Sequence, residues 1–325
     1  MMRAVAFEAY GSADKLQLKD IPKPTPQSNE VLIKLHASAV NAADWHVMHA
    51  DPFPVRLAFG LFKPSLKALG ADIAGVVEAV GEKVKQFKVG DEVYGDVSGH
   101  KWGGYAEYTV ARETDIWYKP SNMTFEEAAA FPMASVTALQ ALREVGKVKQ
   151  GTKVLVVGAS GGVGSFAVQI AKAYGGTVTA VCSGKNEEMA RSLGADKVID
   201  YTKEDYINLD EKYDVIFDVA ATKSLFSIKN VLVPKGVYIN AGGDTLMHTL
   251  LWGPILSLFT GKKMGMFLVS PGQKELQEMT DLAQAGKVRP IIEKVYPLRG
   301  APEAIKHVET KHAKGKNVIN VLDLS

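Results

Sequence analysis

The stretch VVGASGGVGS, residues 156–165, has the glycine spacing of a phosphate-binding turn. Gly161 would let a pyrophosphate approach the backbone, and Gly164 would let a helix pack closely on a strand. A helix that begins here directs its first N–H groups and its positive dipole end at the ligand. We therefore expect a dinucleotide to be bound by Ala159, Ser160, Gly161, Gly162, Val163 and Gly164.

The segments on either side of this turn indicate whether it is a ligand site. Residues 153–158, KVLVVG, read as a buried strand, and residues 163–175 read as an amphipathic helix. A tight turn with no ligand is the alternative interpretation. Because G-x-G-x-x-G becomes informative between a strand and a helix, the context favours a dinucleotide site, with alanine in the first position of the motif.

The end of the next strand indicates which dinucleotide is bound. About 20 residues after the turn, a dinucleotide site carries an acid for the ribose of NAD or a cation for the phosphate of NADP. This chain has Ser183, Gly184 and Lys185 there, and we find no carboxylate at that strand end. The sequence therefore predicts NADPH rather than NADH, with an ordinary surface lysine as the alternative role for Lys185.

Two different patterns of secondary structure are predicted along the chain, and they contain these residues. Residues 1–122 read as short strands separated by Gly, Pro, Asn and Asp, which is typical of a β-barrel or sandwich. From Thr124, which forms a capping box with Glu127, one helical run extends to residue 145, and strands and helices then alternate as in a parallel sheet. After about residue 264 a mixed pattern returns, starting with the strand-like MFLVS, and this tail could close either domain.

Composition narrows the function classes. The 325 residues are 46% apolar and 23% charged, with a net charge of +2 and no basic cluster, so a nucleic-acid partner is not expected. A single cysteine, Cys182, excludes an intramolecular disulfide and a thiolate metal cluster. The N-terminus lacks a signal-like apolar core and no apolar run is long enough to span a bilayer, so we expect a cytoplasmic protein.

Seven motifs occur in order along the chain: SAVNAADW (38–45), GADIAGVVEAVG (70–81), FKVGDEVYG (87–95), GGYAEYTV (103–110), ASVTALQAL (134–142), GASGGVG (158–164) and SLGADKVIDY (192–201). Together they resemble the motifs of the medium-chain dehydrogenase/reductase superfamily, in its zinc-independent quinone oxidoreductase branch. The resemblance covers nearly the whole chain and implies an α/β protein, with a GroES-like β-barrel domain and a Rossmann domain built on a doubly wound parallel sheet. The implied domains are 1–122 for the first part of the barrel, 123–265 for the Rossmann domain and 266–325 for the return to the barrel.

The informative departure from the superfamily lies at its metal positions. Zinc-dependent relatives have Gly-His-Glu where this chain has Gly70, Ala71 and Asp72, and they have a cysteine after the first motif that is missing here. A catalytic zinc needs three protein ligands, so no metal site is expected. His46, His49 and Asp51 are close in sequence but need not converge.

A missing metal constrains the reaction. Zinc stabilises the alkoxide in alcohol–ketone interconversion. A quinone or an α,β-unsaturated carbonyl instead yields a delocalised anion on hydride addition, which hydrogen-bond donors can stabilise. The expected partner is thus a small apolar quinone or unsaturated carbonyl compound. The alternatives are a 2-enoyl thioester reductase and a non-enzymatic NADPH-binding regulatory or scaffold protein.

The resemblance also implies further site residues. Asn41 would contact the nicotinamide half of the cofactor and act in catalysis, although a helix-capping role fits Asn41 equally well. His46 stands where a tyrosine faces the substrate in relatives, so it could donate a proton, with a structural role or a water donor as alternatives. Tyr201, near the adenosine phosphate in relatives, could equally be a packing residue. The other implied cofactor contacts are Thr137, Ala241, Gly242, Gly243, Phe267, Val269, Lys316 and Asn317.

Two apolar segments remain, residues 53–70 and 246–267. Both could form walls or lids for an apolar substrate. The second is interrupted by Gly253-Pro254 and has Lys262 and Lys263 at its edge. For residues 246–263 the sequence leaves open a peripheral membrane contact, a homodimer interface or a buried helix.

Overall fold

The computed structural model describes residues 1–243 and 245–324, which fold into two compact units. Unit 1 comprises Met1–Ala134, Pro271–Ala285 and Pro290–Ser325, and unit 2 comprises Ser135–Ser270 and Gly286–Arg289. Unit 1 thus continues past residue 122, where the sequence suggested a boundary, and both units are made of separate stretches of chain.

Fifteen strands, counted over the described residues, form the sheets of the two units. In chain order they are β1 (Met2–Ala6), β2 (Gln17–Ile21), β3 (Glu30–Ala39), β4 (Asp72–Val80), β5 (Glu92–Asp96), β6 (Tyr108–Arg112), β7 (Ile116–Tyr118), β8 (Lys153–Val157), β9 (Thr177–Cys182), β10 (Lys197–Asp200), β11 (Tyr213–Asp218), β12 (Leu232–Asn240), β13 (Lys263–Met266), β14 (Ile292–Pro297) and β15 (Lys316–Asn320).

The described residues also form ten α-helices. They are α1 (Ala42–His49), α2 (Pro54–Phe59), α3 (Phe125–Ala129), α4 (Pro132–Gln140), α5 (Gly162–Ala173), α6 (Glu187–Ser192), α7 (Leu225–Ile228), α8 (Leu246–Thr260), α9 (Gln273–Gln284) and α10 (Ala301–Glu309). A π-helical turn, Ala141–Val145, follows α4, and short 3-10 turns lie at Ala13–Lys15, Glu113–Asp115, Gly184–Asn186, Tyr206–Asn208 and Leu298–Gly300.

Unit 1 is built on a seven-stranded sheet of order β14-β15-β3-β4-β5-β7, with β6 paired to β3. Its pairs are antiparallel except β14 with β15, and β1 and β2 form a separate two-stranded ribbon. The segment EVLIKLH, residues 30–36, lies in β3, where Val31, Ile33 and Leu35 are fully buried and Lys34 is exposed, as in a half-buried strand. The tail supplies β14 and β15, so residues from both ends of the chain share one core.

Unit 2 is built on a parallel sheet of order β10-β9-β8-β11-β12-β13. Numbered within the unit this is 3-2-1-4-5-6, the order of a doubly wound dinucleotide-binding sheet, which confirms the predicted fold class. Strand β8 is buried along Val154–Val157, as its run of apolar residues indicated. The order reverses between β8 and β11, and ligands bind at such a switch point, beyond the carboxyl ends of the strands.

Three local predictions differ from the structure. The helical run from Thr124 is divided into α3 and α4, and Pro132, which has no N–H to continue α3, begins the second helix. The strand expected at MFLVS begins three residues earlier, because the stretch that pairs with β12 is Lys263–Met266. Gly253-Pro254 does not interrupt the apolar segment, since α8 runs through both residues. Within the described residues, no helix combines the length and apolar character needed to cross a membrane.

Candidate functional site: a dinucleotide edge and a buried polar cluster

The glycine turn joins β8 to α5 in the way its spacing predicts. Gly158 has φ +82°, a conformation that favours glycine, and Gly161 caps the helix that begins at Gly162. A Cβ on Gly164 would lie 2.1 Å from the carbonyl oxygen of Gly158, so the helix can approach the strand only with glycine there. The shape of the turn therefore depends on two glycines for different reasons.

One side of this turn is fixed and the other has room for a ligand. The N–H groups of Gly158 and Ala159 donate to the carbonyl of Val181 at 3.1 and 3.0 Å, which ties the turn to β9. A Cβ on Gly161 would meet only the Gly158 oxygen, at 3.5 Å, among the atoms it could contact. Since the first N–H groups of a helix lack intrahelical acceptors, this turn fits the pyrophosphate of a nicotinamide dinucleotide.

The end of β9 presents the residues predicted to select NADPH. Ser183 accepts a hydrogen bond from the side-chain amide of Asn186 at 3.2 Å, which holds the hydroxyl in the turn that follows the strand. Lys185 is exposed, and its ammonium has no hydrogen bond or ion pair within the described residues. Both side chains thus lie at the strand end where the ribose of a bound dinucleotide is recognised.

The expectation that no carboxylate lies at this strand end is wrong. Asp200 ends β10, which is parallel to β9, and in register it lies opposite Cys182. A Cβ on Gly184 would be 2.4 Å from the Asp200 carboxylate. The N–H and hydroxyl of Thr202 hydrogen-bond this carboxylate, which keeps the pKa of Asp200 below its usual range. Lys203 also lies 3.5 Å from this carboxylate and partly compensates its charge.

The remaining predicted residues of unit 2 follow other strands of the same sheet. Tyr201 follows β10 and is 57% exposed. Asn240 ends β12 and organises the next residues, because its side-chain oxygen accepts from Gly242 N–H at 3.0 Å and its carbonyl accepts from Phe267 N–H at 2.8 Å. Since parallel strands share their carboxyl edge, these residues lie along the edge that carries the glycine turn. Ala241 and Gly243 follow β12, and Val269 follows β13. Thr137 is instead buried on α4.

Unit 1 contains a buried polar cluster made of Asn41, Asp72 and Lys316. Asn41 donates its side-chain N–H to Asp72 at 2.9 Å, and the Lys316 ammonium lies 3.3 Å from the same carboxylate. Lys316 also donates to the side-chain oxygen of Asn41. Asp72 is fully buried and the Lys316 side chain is 3% exposed. The three groups therefore form one desolvated, internally paired unit.

This pairing defines what Asn41 can do. Its side-chain N–H groups are directed at Asp72 and, at 3.4 Å, at the carbonyl of Ala39, while one lone pair of its oxygen accepts from Lys316. A carbonyl oxygen has two lone pairs, so Asn41 can still accept from a ligand hydroxyl. Asn41 also begins α1, where its N–H donates to the Asp44 carboxylate at 2.7 Å, so the predicted capping role and a ligand contact are compatible.

Burial and neighbouring charge shift the ionisation of the carboxyls around this cluster. Burial raises the pKa of Asp72, while the Lys316 ammonium and the N–H donors of Asn41 and Met133 oppose that increase. Burial raises the pKa of Asp44 to about 7, although it accepts N–H bonds. Burial and the charge of Asp72 also raise the pKa of Asp96 to about 7. The charges of Asp44 and Asp96, both beside the cluster, therefore change near neutral pH.

The two residues that begin β15 have different surroundings. Lys316 belongs to the polar cluster. Its ammonium has three N–H donors, and two acceptors are in reach, the side-chain oxygen of Asn41 and the carboxylate of Asp72. Asn317 is fully buried; it donates its side-chain amide to Glu293 at 3.3 Å and accepts from Val40 N–H at its carbonyl. Within the described residues, its side-chain oxygen has no partner. Both residues thus lie beside the start of α1, in unit 1.

His46 lies on α1 and is half-buried. Its ring stacks on Trp45 with centroids 3.7 Å apart, and Nδ1 lies 2.9 Å from the carbonyl oxygen of Asp51. Because a carbonyl only accepts, Nδ1 carries the proton, and in the neutral ring Nε2 is then an acceptor. His46 can donate a proton from Nε2 only as the imidazolium.

The residues at the metal positions of zinc-dependent relatives do not fit a zinc ion. Ala71 offers no ligand atom, and the adjacent carboxylate of Asp72 is held by Lys316 and Asn41. His49 hydrogen-bonds Glu309 at 2.9 Å, away from the contact that His46 makes with Asp51. In the part of the chain that the structure describes, no three His, Cys, Asp or Glu side chains are grouped to hold a metal ion.

Sequence reasoning missed three acids of these sites: Asp44, Asp96 and Asp200. Asp44 lies three residues after Asn41, a capping-box spacing that could have revealed its role. Asp200 could have been found from the parallel order of the sheet, since neighbouring strands end side by side. Asp96 gave no signal, because its burial depends on β5 pairing with β4 opposite Asp72.

Two family models match the chain in the regions of these sites. Residues 27–121 match the alcohol dehydrogenase GroES-like domain, and residues 193–319 match the zinc-binding dehydrogenase family. The first covers much of unit 1 and confirms the predicted GroES-like domain. The second extends over both units and carries a name that the residues at Ala71 and Asp72 do not support for this chain.

Curated relatives and solved structures match over nearly the full length. The chain is 33% identical to NAD(P)H oxidoreductase RTN4IP1, mitochondrial, of Bos taurus, over 99% of this chain and 90% of that relative. It is 35% identical to the chloroplast envelope quinone oxidoreductase homolog of Arabidopsis thaliana, over 98% of both chains. The quinone oxidoreductase of Coxiella burnetii superposes with a TM-score of 0.87 at 30% identity, covering 98% of this chain and 99% of that one.

Fold, turn and relatives agree on one assignment. The sheet order of unit 2 and its glycine turn fit a nicotinamide dinucleotide, and the relatives are oxidoreductases that share both domains. The chain is an NAD(P)H-dependent oxidoreductase, and it belongs to the medium-chain dehydrogenase/reductase superfamily, in the quinone oxidoreductase branch.

Proposed function

We propose that this enzyme uses NADPH to reduce quinones and the C=C bond of α,β-unsaturated carbonyl compounds. The nicotinamide supplies a hydride from C4, and a proton from the protein or from water completes the two-electron reduction. Relatives with this kind of name support the acceptor class: one from Solanum lycopersicum is a 2-methylene-furan-3-one reductase, 36% identical, and one from Arabidopsis thaliana is an NADPH-dependent alkenal/one oxidoreductase, 35% identical.

The preference for NADPH rests on the charges at the ends of β9 and β10. Lys185 is exposed and unpaired among the described residues, and Lys203 is 79% exposed beside Asp200. A 2′-phosphate accepts charge-assisted hydrogen bonds from such ammonium groups. Asp200 works against this preference, but Thr202 and Lys203 compensate its carboxylate.

The acceptor class rests on one observation above all, the Lys316–Asp72 pair beside Ala71. The ammonium of Lys316 has one N–H beyond those directed at Asn41 and Asp72, so this arrangement offers a hydrogen-bond donor instead of three metal ligands. An enolate or hydroquinone anion spreads its charge over a conjugated system, so preorganised donors can stabilise it. A saturated ketone concentrates the charge on one oxygen and gains more from a metal ion than this site can replace.

The proton has two candidate sources. His46 can donate from Nε2 when it is the imidazolium, because Nδ1 is held by the carbonyl of Asp51. Water can replace it, since protonation of a released enolate needs no positioned acid. His46→Gln separates the two, because glutamine retains hydrogen bonding but cannot donate a proton as an imidazolium does.

A panel of acceptors tests the proposal. Purified enzyme is given NADPH or NADH with quinones, alkenals, enones, a 2-enoyl thioester and saturated ketones, before and after exhaustive chelation. We expect kcat/KM to be highest for quinones or for alkenals and enones, negligible for saturated ketones, and unchanged by chelation. Preference for the thioester would identify a 2-enoyl thioester reductase, and cofactor binding without any turnover would indicate a regulatory or scaffold protein.

A further inference from the structure

Gln140, the last residue of α4, holds a main-chain segment of unit 2 with both ends of its side-chain amide. Its side-chain N–H donates to the carbonyl of Ser270 at 2.7 Å, and its side-chain oxygen accepts from the N–H of Ser270 at 3.0 Å. The donor and the acceptor of an amide belong to one planar group, so these two bonds fix both the position and the orientation of the segment. We call this pair of bonds the Gln140 clamp.

The helix that carries Gln140 is a rigid support. Gln140 is 6% exposed, and the two residues before it and the two after it are fully buried. Directly after Gln140 the helix widens into the π-helical turn, in which the N–H of Gly146 donates to the carbonyl of Ala141 at 2.8 Å. Turns of this type occur often at functional sites. The amide of Gln140 is therefore held in place by the packing of its own helix.

The segment that the clamp holds is the one that the resemblance implied to contact the nicotinamide. Phe267 begins it, and its N–H donates to the carbonyl at the end of β12 at 2.8 Å. The clamp fixes Ser270 three residues later. Between these anchors, Leu268 and Val269 make no main-chain hydrogen bond with any of the described residues. Their N–H and C=O groups are thus available to a ligand, and a carboxamide such as that of nicotinamide has both donors and an acceptor to offer them.

The local sequence explains why a side chain from another helix holds this segment. Strand β13 ends at Met266, so the sheet does not hold Ser270. Pro271 has no N–H to donate, and Gly272 has no side chain. Among the described residues, Gln140 is the only hydrogen-bond partner of the main chain of Ser270. Without the clamp, the segment would be fixed at one end only.

A second glutamine makes the same pair of bonds elsewhere in unit 2. Gln169 on α5 is 5% exposed; it donates to the carbonyl of Arg289 at 2.9 Å and accepts from the N–H of Arg289 at 2.9 Å. Arg289, like Ser270, directly precedes a proline. Neither Gln169 nor Arg289 belongs to the residues assigned to the cofactor. The chain therefore contains a matched control, in which the same clamp holds a segment that has no predicted ligand.

We propose that Gln140 is a positioning residue for the nicotinamide. By holding Ser270, it sets the place of Leu268 and Val269, so that the ring is bound with one face of C4 towards the acceptor. Gln140 acts through the main chain and not by contact with the cofactor. This inference rests on the NAD(P)H-dependent activity assigned above, but neither on the preference for NADPH nor on the class of acceptor.

Binding of nucleotides with and without the nicotinamide tests this role. One pair of ligands is NADPH and 2′-phospho-ADP-ribose, which lacks the nicotinamide ring; NADH and ADP-ribose form the second pair. In calorimetric titrations, Gln140→Leu should weaken NADPH binding by about tenfold and change 2′-phospho-ADP-ribose binding by less than about twofold, because only the ring loses its support. Gln169→Leu should change neither. The titrations need no acceptor, so their outcome is separate from that of the reaction proposed above.

The face of C4 that gives up hydride provides a readout that a loss of stability alone does not move. NADPH carrying deuterium on one face or on the other is incubated with an acceptor that the wild type reduces. Wild type and Gln169→Leu should transfer label from one face only, whereas Gln140→Leu should also transfer some from the opposite face, because the ring is held less firmly. Gln140→Glu keeps an acceptor for the N–H of Ser270 but loses the donor, so its effects should be intermediate.

Two outcomes would overturn the proposal. One is a loss of affinity in Gln140→Leu that is equal for NADPH and for 2′-phospho-ADP-ribose, which would make the clamp a part of the general fold of unit 2. The other is a fall in Tm similar to that of Gln169→Leu, with wild-type nucleotide binding and label from one face only, which would limit both clamps to stability.

Discussion

The glycine turn of unit 2 and the polar cluster of unit 1 use different chemical groups: backbone N–H groups in the turn and polar side chains in the cluster. The turn offers backbone N–H groups of consecutive residues and carries no charged side chain. The cluster joins side chains from the N-cap of α1, from β4 and from β15, and it holds an ion pair that is almost completely buried. A site made of backbone tolerates substitution wherever there is space, whereas a site made of buried charges depends on every partner being present.

Removing one charge from the cluster should have the largest effect. Lys316→Met leaves the Asp72 carboxylate buried without its ammonium partner, so we expect the free energy of unfolding to fall by about 3–5 kcal/mol. Urea denaturation at neutral pH measures it. Asp72→Asn/Lys316→Met should lose less than the sum of the single variants, and Lys149→Met, an exposed control, should lose almost nothing. Additive losses would contradict a coupled pair.

Two alanine substitutions in the turn should separate packing from ligand binding. Gly164→Ala places a methyl group against the Gly158 carbonyl, so we expect a loss of about 2–3 kcal/mol in stability. Gly161→Ala has room for its methyl group and should keep the wild-type Tm while weakening NADPH binding. Thermal unfolding with and without NADPH measures both. Equal Tm values for the two variants would show that the turn does not distinguish these roles.

The pH dependence of stability should report Asp96, a buried acid that lies opposite Asp72 of the cluster. The pKa of Asp96 is raised from 3.8 to about 7, so between these values the folded state keeps a proton that the unfolded state has released. Stability from this group therefore falls as pH rises through this range. Asp96→Asn removes the effect, and we expect it to stabilise the protein at about pH 8 and to leave the stability nearly unchanged at about pH 4. A difference that is independent of pH would refute the assignment.

The smallest effect is expected at the end of β9. Lys185→Ala should weaken NADPH binding by about tenfold and leave NADH unchanged, because only the 2′-phosphate loses a partner. Asp200→Asn should act in the opposite direction by removing a nearby negative charge. Titration of both nucleotides by fluorescence measures this, with Lys149→Ala as the control. Equal losses for NADPH and NADH would remove Lys185 from the phosphate site.

The same contrast explains what the sequence could predict. The turn, its strand and its helix are consecutive, so local spacing predicted Gly161, Gly164 and the sheet that carries them. The resemblance to a known superfamily predicted both domain types. The return of the tail into the sheet of unit 1 places Lys316 beside Asp72, which are 244 positions apart, and no local pattern shows that pairing.

The sequence predicted least well those features that depend on contacts between elements distant in the chain. Asp200 lies beside Gly184 because two parallel strands end together, so the acid was overlooked in the segment that follows β9. Gly253-Pro254 was expected to interrupt α8, yet the helix continues through Pro254, and its close packing against β13 offsets the lost hydrogen bond and the steric clash of the proline ring. Both errors arise where packing between elements overrides a local signal.

Isotope transfer tests the central claim most directly. NADPH labelled with deuterium at one face of C4 is incubated with the enzyme and an alkenal, and the product is analysed by mass spectrometry and NMR. We predict one deuterium at the β-carbon of the saturated aldehyde, from one face of the nicotinamide only, in enzyme treated with chelator. Deuterium at the carbonyl carbon, or tight NADPH binding with no labelled product from any conjugated acceptor, would contradict the proposed reaction.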